Sequence, residues 1–143
     1  MKRLGLLAAV AAVSLLASPA LASHGKAGLW QATTTMTMNM PGMNVPKQTH
    51  SATFCMTAQQ VNSDAPPPSE NPSCKMTNMH TNGRTVTADM VCHGDMEGTG
   101  HFSTTYDSDT HYNASFSMAM NGMTMNSAIE GKWLKADCAG ATH

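Results

Sequence analysis

Methionine is the side chain in this sequence with both the number and the spacing to do chemistry. It recurs in two similar segments, Met36-Thr37-Met38-Asn39-Met40-Pro41-Gly42-Met43 and Met118-Ala119-Met120-Asn121-Gly122-Met123-Thr124-Met125. A thioether is a soft, neutral donor at any pH, and soft donors select Cu(I) and similar ions. A two-residue turn at Asn121-Gly122 pairs Met120 with Met123 and Met118 with Met125. Opposed residues share a face of a sheet, as do residues two apart along a strand. Four sulfurs then stand at one hairpin end. Met36, Met38 and Met40 join them if the sheet curls so that its first and last strands approach. With Met43 these are the candidate metal ligands.

A competing reading needs no ligand. Methionine is a flexible core filler that packs well on aromatic rings, and these residues share a face with Trp30, Phe116 and Trp133. A groove for a small apolar molecule is a third reading. His50, His93, His101 and His111 would suit Cu(II) or zinc, but none forms a spaced pair, and they read as surface residues.

The elements that must position these side chains are strands. Thr, Ser and Asn alternate with larger residues along most of the chain, the period-2 pattern of half-buried strands. Strands are expected near Trp30–Met40, His50–Met56, Cys74–Thr81, Arg84–Cys92, Met96–Tyr106, His111–Met120 and Met123–Trp133. Asn82-Gly83 and Asn121-Gly122 are type I′ hairpin signals. Thr57 with Gln60 has capping-box spacing, so one short helical turn follows the second strand. Asp64 to Ser73, with four prolines, reads as a stiff loop. The expected fold is all-β: about seven antiparallel strands in a meander that forms a barrel or half-barrel, with a two-sheet sandwich as the alternative.

The N-terminus reads as a secretory signal peptide over residues 1–22. Lys2 and Arg3 precede an apolar run from Leu4 to Leu16, and Ala20-Leu21-Ala22 is a small-residue cleavage site, so the cut is expected before Ser23. That run is shorter than the roughly 20 residues of a transmembrane helix, and no later segment is expected to span a membrane. Residues 23–143 then form a single domain, expected in the periplasm. Its six basic and nine acidic side chains give a formal charge of −3, which argues against nucleic acid as a partner.

Cys55, Cys74, Cys92 and Cys138 all follow the signal, and an even count in an exported chain reads as two disulfides. Three pairings are open. The favoured one joins Cys55 to Cys74 across the proline-rich loop and Cys92 to Cys138 at the C-terminus. No phosphate loop, G-x-S-x-G or H-E-x-x-H occurs, and bridged cysteines are not nucleophiles. The chain is therefore expected not to be an enzyme.

Several of these residues also form a pattern. Gly28-Leu29-Trp30, the Met-rich stretch ending Pro41-Gly42-Met43, and Phe54-Cys55-Met56-Thr57 are followed by Cys74, the Met118–Met125 stretch, Gly131-Lys132 and Asp137-Cys138. In this combination the chain resembles the bacterial family DUF3617 over nearly all of residues 23–143. The resemblance implies a small exported Met-rich domain and carries over no activity and no site residues. The expectation is a periplasmic protein that binds Cu(I) or Ag(I) through thioethers as a buffer or carrier. The alternative is a non-catalytic envelope or small-ligand module whose methionines only pack.

Overall fold

The computed structural model describes residues 24–62 and 72–142. The expected signal peptide with its cleavage site, and most of the proline-rich loop, lie outside these residues. The chain forms β1 (Gly28–Met40), β2 (Met43–Asn44), β3 (Gln48–Met56), α1 (Ala58–Asn62), β4 (Cys74–Asn82), β5 (Thr85–Cys92), β6 (Gly98–Ser108), β7 (His111–Met120) and β8 (Met123–Lys135). A single 3-10 turn, Gly94–Met96, joins β5 to β6.

All pairings are antiparallel, in the order β4-β5-β6-β7-β8-β1, with β2 and β3 both on the far side of β1. The sheet is open, with β3 and β4 at its edges, so the half-barrel expectation holds and full closure does not occur. The eighth strand is the two-residue β2. Pro41-Gly42 turns the chain back on β1, with Gly42 at φ +79°, as a type II turn requires.

Turn chemistry sets the register. At Asn121-Gly122 both residues have positive φ (43° and 81°), which is type I′. Asn82 behaves differently from expectation. It is the last paired residue of β4, opposite Thr85, and the turn residues are Gly83-Arg84. Only Gly83 has positive φ there, the pattern of a type II′ turn. A bulge between Thr77 and His80, with Asn78 at φ 50°, shifts the register again and brings Cys74 directly opposite Cys92.

The apolar face carries the core. Trp30 is fully buried and lies against Tyr112 and Ala114, with Phe54, Phe102, Ile129 and Trp133 around them. The segment before β1 closes this end. Trp30 Nε1 donates to the Lys26 carbonyl at 2.8 Å, and Trp133 Nε1 to the Ala27 carbonyl at 3.1 Å. α1 begins with the expected capping box: Thr57 N donates to Gln60 Oε1 at 2.8 Å, and Gln60 N to Thr57 Oγ1 at 3.2 Å.

The disulfides correct the favoured pairing. They are Cys55–Cys138 and Cys74–Cys92. Cys74 and Cys92 are opposed neighbours on the β4–β5 hairpin, so neither is free to bridge outward. Cys55, opposite Leu29, lies on the polar face, where the tail after β8 crosses and buries Leu29. The tail is also tied to β3. Thr142 N donates to the Thr53 carbonyl at 3.0 Å, and Thr53 Oγ1 to the Gly140 carbonyl at 2.8 Å.

Candidate metal centre

The hairpin geometry read from the sequence is present. Met120 is opposite Met123, and Met118 is opposite Met125. The approach of the first and last strands is also present, because β1 and β8 pair along nearly their whole length. Met38 is opposite Met125. Three methionines, Met38, Met125 and Met118, thus stand in consecutive opposition across β1, β8 and β7.

The same row continues beyond the expected set. Met118 is opposite Gly100, Gly100 is opposite Met90, and Met90 is opposite Met76. Sequence reasoning missed Met76 and Met90. Their signal was mirror spacing about two cysteines, Cys74-Lys75-Met76 and Met90-Val91-Cys92. On two paired strands this spacing puts all four sulfurs on one face. The next row toward the strand ends runs Met123, Met120, Gly98, Cys92, Cys74.

The remaining candidates are placed apart. Met36 is opposite Ser127, in the row of Phe116 and Phe102. Met40 pairs with Met43 across the β1–β2 turn, and Met43 is 60% exposed on the sheet edge. Exposure is graded along the set. Met118 is 4% exposed and Met38 is 36% exposed, while Met120, Met123 and Met125 are half-buried.

Glycines shape the space around the sulfurs. A Cβ at Gly98 would lie 2.6 Å from Met120 Cγ, so the Met120 side chain packs beside Gly98. Phe116 lies over Gly100 in the same way. At the strand ends an open cleft of about 520 Å³ is lined by Cys92, Gly98, Met120 and Met123 from the apolar face and by Val91, Thr99, Ala119 and Thr124 from the polar one. A second cleft, about 440 Å³, lies mainly over the polar face, bordered by Thr77, Asp89, Val91, Thr99, His101 and Ser117, and is not part of the sulfur face.

His101 and His111 lie on the polar face and pair with carboxylates, whereas His50 is opposite Thr34 on the apolar face. His101 Nδ1 meets Asp89 Oδ1 at 2.8 Å, and Asn78 Nδ2 donates to Asp89 Oδ2 at 2.9 Å. These hydrogen bonds hold the Asp89 carboxyl below its usual value. His111 stands between two carboxylates, with Nδ1 2.6 Å from Asp107 and Nε2 3.0 Å from Glu130. Both carboxylates accept, so the doubly protonated ring is the form that satisfies both contacts. The hydrogen bonds to Glu130 and then to Asp107 raise its pKa accordingly. Among the described residues no three His, Cys, Asp or Glu side chains converge to hold one metal ion. Sulfur from methionine is therefore the donor type gathered on the apolar face.

The sequence of residues 25–138 matches the family described as "Protein of unknown function (DUF3617)". No curated protein and no solved structure matches the chain. The match spans the strands from β1 to β8, the tail to Cys138 and both disulfides, and on that extent the chain belongs to the DUF3617 family.

Proposed function

We propose that this chain is a periplasmic protein that binds Cu(I), and Ag(I) by the same chemistry, through methionine thioethers, acting as a buffer or carrier. The observation that supports this reading most is the register: Met38, Met125 and Met118 in direct succession, with Met120 and Met123 beside them on an open cleft. Opposed side chains have Cβ atoms about 4.5–5.5 Å apart, within reach of two long flexible thioethers sharing one ion. Both disulfides remove thiolate competitors, so an oxidised chain offers sulfur only as thioether.

The near-complete burial of Met118 favours a second reading, in which these residues only fill the core. One experiment separates the two. The disulfide-bonded protein is titrated with Cu(I) against a chromogenic chelator at pH 7 and pH 5. Thioether binding is expected at both, because no donor proton is involved, whereas imidazole sites fade as they protonate. Replacing Met118, Met120, Met123 and Met125 together by Leu is expected to abolish binding and keep the fold, since the swap roughly conserves volume. A parent protein that takes up no Cu(I) leaves packing as the role of the set.

A further inference from the structure

The Cys74–Cys92 disulfide is placed unlike its counterpart. Cys55–Cys138 lies on the polar face, where the tail covers Leu29 and Thr53 hydrogen-bonds it. Cys74–Cys92 lies in the methionine rows. Met76 and Met90 are two positions along the strands from its cysteines, and Met120 is in the row of Cys92 with only Gly98 between them. Cys92 also lines the strand-end cleft together with Met120 and Met123. Its accessibility is asymmetric, since Cys92 is 1% exposed while Cys74 is half-buried on the edge strand β4.

We infer that the end of this row, where Cys74, Cys92 and Met120 share the apolar face, is a Cu(I) site switched by the Cys74–Cys92 disulfide, with the reduced cysteines and Met120 as its ligands. The inference rests on the soft-metal reading above and assigns its regulation. An external dithiol supplies the two electrons. Its thiolate attacks the accessible Cys74 Sγ, the Cys74–Cys92 bond breaks, and Cys92 leaves as thiolate. The second external thiolate then attacks its partner sulfur in the mixed disulfide and releases Cys74 as thiolate. The reductant ends as a disulfide. Cu(I) then binds two thiolates, and any thiol proton still present goes to solvent.

Gly98 is the reason Met120 completes the set. Gly98 stands between Cys92 and Met120 in the same row and puts no side chain between them, and Met120 Cγ lies beside it. Reoxidation by a disulfide oxidant returns two electrons to that oxidant, re-forms the Cys74–Cys92 bond and leaves only thioethers for the ion. Affinity is high in the reduced state and low in the oxidised state.

The test compares Cu(I) affinity of oxidised protein with protein reduced at Cys74–Cys92, peptide mapping having shown that Cys55–Cys138 remains bridged. Reduction is expected to tighten binding by about a hundredfold or more, thiolate being a far stronger donor than thioether. Met120→Leu in the reduced protein is expected to weaken binding about tenfold. Cys74→Ser supplies a reductant-free arm, because it leaves the Cys92 thiol in the cleft. It is expected to bind at least about tenfold tighter than Cys74→Ser/Cys92→Ser. Equal affinity in the two redox states overturns the inference. So does an unchanged affinity of reduced Met120→Leu, which would make the dithiol act without Met120. Binding by the reduced protein alone would sink the thioether buffer and leave the switch standing.

Discussion

Tyr112 lies directly opposite Gly131 in the β7–β8 ladder, and its ring fills the space that a Gly131 side chain would need. The ring is held from both sides, with Trp30 and Tyr106 each at a centroid distance of 5.5 Å. It has nowhere to retreat. Gly131→Ala is therefore expected to cost about 2–3 kcal/mol, the upper part of the range for overpacking a filled core. Urea unfolding of the variant checks this, and a midpoint equal to the parent's would show that the core repacks freely.

The methionine set is expected to divide by exposure. Met118→Ala should destabilise by about 2–5 kcal/mol, as for other buried large-to-small changes. Met43→Ala, at a 60% exposed edge position, should stay within about 0.5 kcal/mol. Thermal or denaturant melts of the two variants measure the difference directly. Similar small effects at both positions would contradict the burial of Met118.

Disulfide removal is expected to follow loop length. Cys55–Cys138 closes 83 residues and Cys74–Cys92 only 18. Chain entropy then assigns about 4.5 kcal/mol to the first and about 3 kcal/mol to the second. Peptide mapping without reduction should recover these two pairs, and unfolding of each double Cys→Ala variant should rank them in that order.

His111 gives a pH dependence of definite sign. Its folded pKa is raised above 6.5 by Glu130 and Asp107. Its contribution to stability is thus complete below about 6.5, the unfolded value, and is lost as pH rises through the higher folded value. Asp89, Glu130 and Asp137 are lowered by their hydrogen-bond partners and act at the other end. Their contribution is present above about pH 4 and lost as pH falls through their folded values. Solvent screening keeps all of these small. An NMR titration of the His111 ring should give a midpoint above 6.5, and His111→Gln should flatten the alkaline limb of the stability profile.

Much of the fold was legible because local chemistry and pattern agreed. Alternation placed the strands, Asn121-Gly122 set the β7–β8 register, and Thr57 with Gln60 marked α1. The Met120–Met123 and Met118–Met125 oppositions followed from that one turn. The β4–β5 hairpin was less legible. Asn82-Gly83 carried a type I′ signal, yet Asn82 pairs with Thr85 and the bulge at Asn78 shifts the register once more. A bulge leaves little trace in alternation, and without it Cys74 and Cys92 do not appear opposed. The link from Cys55 to Cys138 depends on a tail crossing two strands far apart in sequence, which no local pattern encodes. Met76 and Met90 were hidden for the same reason as the hairpin cystine, since their place in the row needs the register of three ladders.

The short tail beyond Cys138 also covers part of the β3 edge of the sheet. Thr142 occupies the outward N–H and C=O of Thr53 at the centre of β3, so that margin of the sheet offers no continuous template for another molecule. The opposite margin, β4, is kinked at Asn78 and cannot present a straight row either. A chain clipped just after Cys138 would keep both cystines yet bare a nine-residue strand, and strand-to-strand self-association into aggregates would be its characteristic failure.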